Sequence, residues 1–194
     1  MQPELILASA SPRRTALLSQ IGIRHKVKAV NIDESSLPKE TPMQQVLRLA
    51  EQKAHTALDT LTADKKAGTV VLASDTLIAL DGKSLGKPGN QAECITMLSS
   101  LSGKEHEVLT AICVCSAEVK KSQCINTKVQ FAHLTHEEMV AYWRTGEPAD
   151  KAGSYAIQGI GGQFVKAVNG SVSAVIGLPL YETKQLLKEF GVTP

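Results

Sequence analysis

Residues 5–14 place a short apolar run directly before a Ser-x-Ser-Pro turn. The apolar run predicts a buried strand, and Ser11 followed by Pro12 is typical of the start of a helix. Arg13 and Arg14 then fall in the first helical turn, where the helix dipole favours anions over cations. The segment predicts an α/β fold and one of two roles for its arginines. They bind an anion such as a phosphate chain, or they are simply solvated at a strand-to-helix junction.

Composition narrows the classes of partner. The chain has 194 residues and a net charge of +2, which is too small to argue for nucleic acid or for an anionic membrane surface. Its apolar runs are far shorter than the roughly 20 residues that span a bilayer, and its first residues lack a signal-peptide pattern, so a cytoplasmic location is expected. The four cysteines and five histidines show no metal-like spacing. Buried free thiols and solvent-facing histidines are therefore expected.

Capping signals and apolar periodicity predict a central mixed sheet flanked by helices. The predicted helices cover residues 12–21, 41–61, 90–101, 135–146 and 179–190. The predicted strands cover residues 5–8, 24–30, 69–80, 107–115, 124–134, 164–168 and 172–176. Asn169-Gly170 is a strong turn dipeptide and predicts that the last two strands form a hairpin.

Two charged residues interrupt segments that are otherwise apolar. Asp75 lies in the predicted strand 69–80, which is expected to be buried on both faces. An ionised carboxylate there is costly unless cations or a metal compensate it. Lys53 falls on the apolar face of the helix that begins near Thr41. Together they indicate a functional site, and the alternative for Asp75 is a structural carboxylate bound by backbone amides.

Three polar loop residues are further candidates. Glu34 belongs to the site only if the polar connector 31–42 folds back over it, and Lys87 lies on a stiffened turn that could present it to a phosphate. Gln158 lies among glycines, which let the backbone approach a ligand closely. Its amide offers a donor and an acceptor side by side, matching the N3–H and adjacent carbonyl of uracil or thymine. Each of the three is otherwise an ordinary surface residue.

Taken together, these motifs resemble the Maf family of nucleoside triphosphate pyrophosphatases. The matching segments are residues 7–14, 74–76, 86–88, 151–159 and 169–179, and the match covers essentially the whole chain. The resemblance implies one two-lobed catalytic domain over residues 1–194, built on a twisted mixed α/β sheet like that of inosine triphosphate pyrophosphatases. It also implies a nucleotide-binding cleft between the lobes.

The resemblance further implies hydrolysis of dTTP and UTP, or of modified pyrimidine triphosphates, to the monophosphate and pyrophosphate. Asp75 would be the proton acceptor, acting with Glu34, Lys53 and Lys87. Around the triphosphate and a divalent cation, Mg²⁺ or Mn²⁺, the resemblance places Ser9, Arg13, Arg14, Glu34, Lys53, Lys87 and Asp75. The acids Glu34 and Asp75 would hold the metal.

Arg13, Thr76 and Gln158 match the positions that mark the dTTP- and UTP-cleaving branch of that family. Thr76 and Gln158 would read the base edge, with Arg13 as a further candidate for this role. A buried Gln158 would penalise a purine more than a C5-methyl difference, so weak discrimination between dTTP and UTP is expected.

Several alternatives stay open from the sequence. Asp33 precedes Glu34, and either acid could serve the metal. The resemblance implies a homodimer and a role in cleaning the nucleotide pool. A non-catalytic nucleotide sensor that regulates cell division and septum formation is the alternative function. Stable binding to nucleic acid or to a membrane is not expected.

Overall fold

The computed structural model describes residues 2–194, within which seven strands form one mixed sheet. The strands are β1 (Glu4–Leu7), β2 (Lys26–Val27), β3 (Thr69–Leu80), β4 (Lys83–Leu85), β5 (Glu105–Cys115), β6 (Lys120–Phe131) and β7 (Val165–Asn169). Their order across the sheet is β2-β1-β3-β5-β6-β7, with β4 paired to the end of β3. β1 runs parallel to β2 and β3, and the remaining pairs are antiparallel. The predicted mixed sheet flanked by helices is confirmed.

Helices cover this sheet. They are α1 (Pro12–Gln20), α2 (Pro42–Asp59), α3 (Ala63–Lys66), α4 (Gln91–Leu101), α5 (His136–Arg144), α6 (Val172–Ile176) and α7 (Leu180–Glu189). Short 3₁₀ turns occupy Glu147–Asp150, Ala152–Ser154 and Ile160–Phe164. Among the helices of residues 2–194, none combines the length and hydropathy that a bilayer crossing requires.

The two faces of the sheet carry separate apolar clusters, because successive strand residues point to opposite sides. Ile6 and Val71 belong to a cluster with α2, whereas Leu5 and Val70 belong to a cluster with α1 and α7. A third cluster joins β5 and β6 to α4 and α5 around Phe131. The centre of β3 is therefore covered on both faces, as its apolar run, broken only by Ser74-Asp75-Thr76, predicted.

Local capping signals fix most helix starts as predicted. Thr41 and Gln44 form a reciprocal capping box at α2, and Thr135 and Glu138 form another at α5. Proline occupies the first turn of both α1 and α2. The cysteines are free thiols, three of them buried and Cys124 half-buried, which confirms that expectation.

Two strand predictions differ from the structure. Val172–Ile176 forms α6, because the Ser171 hydroxyl accepts a hydrogen bond from the Ala174 N–H and caps a helix. Strand β7 pairs with β6, so the predicted hairpin across Asn169-Gly170 is wrong. The predicted strand 24–30 is reduced to Lys26–Val27, which pairs only with β1 at the edge of the sheet.

The expectation of solvent-facing histidines is wrong for His106. Its side chain is 2% exposed, and its Nε2 lies 2.8 Å from the Tyr155 hydroxyl inside the third cluster. Burial disfavours the charged imidazolium and lowers the pKa of His106 to about 4. This histidine is held neutral by the core.

The buried imidazole predicts acid sensitivity. The unfolded chain takes up a proton near the ordinary histidine pKa, while the folded chain resists protonation until the pH approaches about 4, so stability falls as the pH drops between these values. From about pH 7.5 to about pH 5, this one group should remove about 2 kcal/mol from the free energy of unfolding. Urea unfolding of the unaltered protein and of His106→Leu at both pH values measures it. Equal losses in the two proteins would contradict the assignment.

Candidate active site

A cleft of about 950 Å³ opens beside the middle of β3. Its walls come from the β1–α1 turn, the connector before α2, α2 itself, β3, the turn after β4 and the segment 150–158. The predicted residues that line it are Arg13, Arg14, Glu34, Lys53, Asp75, Thr76, Lys87 and Gln158. One cavity thus collects side chains that are scattered along more than half of the chain.

Two acids and one lysine form a continuous contact at the floor of the cleft. Lys53 Nζ donates a hydrogen bond to Asp75 Oδ1 at 2.7 Å and lies 2.6 Å from Glu34 Oε1. Asp75 is 7% exposed, whereas about half of the Glu34 side chain reaches solvent. The lysine that interrupts the apolar face of α2 therefore compensates the acid that interrupts the apolar strand β3.

The surroundings push the pKa values of the two acids apart. Burial raises the pKa of Asp75, although the Lys53 ammonium and the Arg14 guanidinium oppose that rise. Burial of Glu34 by itself would raise its pKa, but the hydrogen bond and charge of Lys53, with Lys87 and Arg14, bring the net pKa below its ordinary value. Asp75 is thus the better proton acceptor, and Glu34 is the acid that stays charged.

Arg14 is held in place before any ligand arrives. Its Nε donates to the Gly177 carbonyl at 2.8 Å, and its terminal nitrogens donate to Ser9 Oγ at 3.2 Å and to Thr76 Oγ1 at 3.4 Å. Each terminal nitrogen carries a second N–H, which stays available to an anion. A guanidinium fixed in this way suits bidentate contact with a phosphate.

Ser9 and Thr76 support this arginine. Ser9 is buried and does not line the cleft, so its hydroxyl acts through Arg14. Thr76 Oγ1 also lies 3.1 Å from Thr110 Oγ1, so the hydroxyl expected to read a base is already engaged on two sides.

Sequence reasoning missed the role of the Gly177 carbonyl, which accepts a hydrogen bond from Arg14 and also from Ser74 Oγ at 2.9 Å. No local signal could have indicated contacts over such sequence separations.

The connector before α2 folds back over the site. Arg48 donates to both carboxylate oxygens of Glu40, at 2.6 and 2.8 Å, and to the Ser35 carbonyl at 3.0 Å. This clamp ties the connector to α2 and holds Glu34 over Lys53. Asp33 instead accepts from the Ser35 N–H at 2.9 Å and does not line the cleft. Of the two neighbouring acids, Glu34 is the one that faces the site.

Three predicted residues lie at the rim of the cleft. Arg13, Lys87 and Gln158 are exposed, and within residues 2–194 none of them has a hydrogen-bond or ion-pair partner. The exposure of Gln158 contradicts the expectation that it is buried. The rim therefore offers two cations and an amide that are free to meet a ligand.

The donor set fits a divalent cation only with help from a ligand. No cluster of three or more His, Cys, Asp or Glu side chains with metal-site geometry occurs in the described part of the chain. Glu34 and Asp75 provide two carboxylates in one contact group. Mg²⁺ is commonly bound by one or two carboxylates together with substrate phosphates, so these two acids fit such an ion when a polyphosphate supplies further oxygens.

Comparison with known proteins identifies relatives over nearly the full length. A family model described as Maf-like protein matches residues 4–190. The dTTP/UTP pyrophosphatase of Colwellia psychrerythraea is 55% identical over 188 residues, which cover 97% of this chain and 89% of the relative. The dTTP/UTP pyrophosphatase of Vibrio vulnificus strain YJ016 is 48% identical and covers 96% of this chain and 98% of its own.

Two solved structures overlap more loosely. The Staphylococcus aureus Ham1 protein is 14% identical, with a TM-score of 0.45 over 66% of this chain and 72% of that one. A nucleoside-triphosphatase/dITP/XTP pyrophosphatase from Mycobacterium abscessus is also 14% identical, with a TM-score of 0.42 over 96% and 93% of the two chains.

The Lys53–Asp75 contact predicts an energetic coupling. Lys53→Met leaves a buried carboxylate without its cation, so the free energy of unfolding near neutral pH should fall by about 2 kcal/mol, less than for a fully enclosed pair because the cleft admits water. Adding Asp75→Asn should recover most of this loss. The loss should also shrink as falling pH protonates Asp75. Urea unfolding of both single variants and of the double variant measures the coupling, and additive effects would refute it.

Proposed function

Because this chain belongs to the Maf family, we propose that it hydrolyses dTTP and UTP to the nucleoside monophosphate and pyrophosphate. The proposal rests on one observation: a single cleft is lined by Asp75, Lys53, Glu34 and Arg14. A buried base beside fixed cations suits attack of water on a phosphorus atom whose leaving group is anionic. The names of the relatives supply the substrate class.

Asp75 acts as the general base in the proposed reaction. Its Oδ1 is occupied by Lys53, while its Oδ2 has no hydrogen-bond partner within residues 2–194. Water attacks the α-phosphorus and gives its proton to this carboxylate, a new P–O bond forms, and the anhydride bond to the β-phosphate breaks. The raised pKa of Asp75 makes it a stronger acceptor than an ordinary aspartate.

The cations of the cleft bind the triphosphate. Arg14 presents its remaining N–H groups from a fixed position, and Arg13 and Lys87 approach from the exposed rim. Lys53 forms ion pairs with both Asp75 and Glu34 in the free protein and can exchange one of these contacts for a phosphate oxygen. Charge that develops on the departing pyrophosphate is thereby balanced.

We also propose a divalent cation, Mg²⁺ or Mn²⁺, held by Glu34, Asp75 and the phosphates. Such an ion supplies charge neutralisation and lowers the pKa of bound water. Glu34 suits ligation because its lowered pKa keeps it ionised. Its neighbour Asp33 does not line the cleft and accepts a hydrogen bond from the Ser35 N–H.

Base recognition in this proposal depends on Gln158. Its unpartnered amide offers a donor and an acceptor to a uracil or thymine edge. Thr76 contributes by holding Arg14, because its hydroxyl is already engaged with Arg14 and Thr110. The expected homodimer, the cytoplasmic location, the role in the nucleotide pool and the absence of a nucleic-acid partner stay predictions.

Hydrolysis in ¹⁸O-labelled water tests the reaction. With UTP or dTTP and Mg²⁺, pyrophosphate should be released and the label should appear in the monophosphate, because water attacks the α-phosphorus. Chelation of the metal with EDTA should stop turnover, and Mn²⁺ should restore it. Tight binding of UTP without pyrophosphate release would favour the alternative of a nucleotide sensor.

Asp75→Asn tests the base in the same assay. The amide keeps a hydrogen-bond acceptor for Lys53 but cannot take a proton, so kcat should fall by about a thousandfold while UTP still binds. Asp33→Asn is the matched control, since it alters a neighbouring acid that does not line the cleft, and its kcat should stay within about twofold. Turnover of Asp75→Asn near the unaltered rate would remove Asp75 from this role.

Gln158→Glu tests base recognition. A carboxylate cannot donate to a pyrimidine carbonyl, so kcat/KM for UTP and dTTP should fall about tenfold relative to CTP, whose amino group can donate to it. Gln163→Glu makes the same chemical change at an exposed position outside the cleft and should leave this ratio unchanged. An unaltered order of nucleotides in Gln158→Glu would refute the assignment.

A further inference from the structure

A hydrogen-bond network that is buried at Tyr142 and partly exposed at Glu147 holds residues 156–161, the segment that carries Gln158 and that we term the base loop. Tyr142 from α5 donates its hydroxyl hydrogen to Glu147 Oε1 at 2.6 Å. The Gly161 N–H donates to the same oxygen at 2.9 Å, and the Ile160 N–H donates to Glu147 Oε2 at 2.8 Å. Both carboxylate oxygens of Glu147 are thus used to hold the C-terminal end of the base loop.

The same tyrosine holds the other end of the loop. The Ala156 N–H donates to the Tyr142 hydroxyl oxygen at 3.2 Å. Ile157 packs against the third cluster, whereas Gln158 lies between the two attachment points and has no hydrogen-bond partner among residues 2–194. Its placement at the cleft therefore depends on the backbone that Tyr142 and Glu147 fix.

Close packing supports this view. A Cβ atom on Gly161 would lie 2.5 Å from the Tyr142 hydroxyl oxygen, and a Cβ atom on Gly159 would overlap Glu147 Oε2. Only glycine lets the base loop approach the two side chains this closely. The glycines that sequence reasoning assigned to ligand approach thus have a second reason within the protein itself.

The network is anchored in the core and carries a stable charge state. Tyr142 is 2% exposed, and its ring packs edge-on against Phe164 with centroids 5.0 Å apart. Burial, with the neighbouring carboxylate, raises the pKa of Tyr142, so the phenol keeps its proton. Burial alone would raise the pKa of Glu147, but Tyr142 and the two backbone N–H groups bring it below its ordinary value. Throughout the neutral pH range, the charged Glu147 carboxylate therefore accepts hydrogen bonds from neutral donors, the Tyr142 hydroxyl and two backbone N–H groups.

We propose that Tyr142 and Glu147 are positioning residues for base recognition, holding the base loop so that Gln158 faces the pyrimidine. Neither residue lines the cleft, so neither contacts the substrate. The inference rests on the proposed function, because Gln158 has a base to read only if a pyrimidine nucleotide occupies the cleft. It extends that function from the residue that reads the base to the pair that places it.

Loss of this pair should affect binding more than chemistry. If either end of the base loop loses its hydrogen bonds, the loop samples more conformations. The entropy lost when substrate orders the loop then weakens substrate binding. The reacting groups Asp75, Lys53 and Arg14 belong to β3, α2 and α1, and the network makes no hydrogen bond to these elements. The preference for pyrimidine over purine should weaken while kcat is retained.

Tyr142→Phe and Glu147→Gln test the inference by steady-state kinetics with UTP, dTTP and ATP. Each variant should raise KM for UTP and dTTP about tenfold, leave kcat within about twofold, and lower the UTP/ATP ratio of kcat/KM about tenfold. The double variant should show no more than the larger single effect, because both residues act through one loop.

Met139→Ala is the matched control, since Met139 is buried on the same helix and in the same cluster but makes no hydrogen bond to the base loop. It should lower Tm without changing the UTP/ATP ratio, which separates positioning from general destabilisation. An unchanged ratio in Tyr142→Phe and Glu147→Gln, or an equal change in Met139→Ala, would overturn the inference while the proposed function stands. If the unaltered protein releases no pyrophosphate from UTP, the proposed function fails first, and this inference fails with it.

Discussion

The Asp75 carboxylate needs a cation, and much of the site follows from how that need is met. β3 is covered on both faces by apolar clusters, so an ionised acid at its centre is costly by itself. Lys53 of α2 supplies this cation through its ion pair with Asp75, so the position of α2 determines whether the acid on β3 is compensated. The Lys53 ammonium also forms an ion pair with Glu34 of the connector before α2. One ion pair thus links the core of the fold to the floor of the cleft.

The cations of the cleft fall into two groups that differ in how firmly they are held. Arg14 and Lys53 make several contacts with the protein and are fixed by them. Arg13 and Lys87 are exposed at the rim and have no such contacts within residues 2–194. Fixed cations suit a reacting phosphate, because stabilising charge without reorganisation is most effective. Exposed cations suit capture of a highly charged ligand from solvent.

Firm placement extends beyond the residues that reach the cleft. The Arg48–Glu40 clamp holds the connector that carries Glu34, and Tyr142 with Glu147 holds the base loop that carries Gln158. In both cases, a carboxylate outside the cleft fixes the segment that carries an exposed cleft residue. Glu40 does so for Glu34, and Glu147 does so for Gln158. These hydrogen bonds add to the packing of apolar side chains such as Ile157 against the third cluster.

Local patterns in the sequence determined the helix starts and the identity of the unusual residues. Capping pairs such as Thr41–Gln44 act over a few residues, and the misplaced Asp75 and Lys53 are visible because their neighbours are apolar. The predicted strand at Val172–Ile176 was wrong because its β-branched residues favour a strand, whereas the Ser171 cap and the pairing of β7 with β6 leave it helical. Tertiary structure alone decided that His106 is buried, that Glu34 rather than Asp33 faces the cleft, and that the Gly177 carbonyl holds Arg14. These outcomes depend on contacts between residues far apart in the chain, which no local propensity encodes.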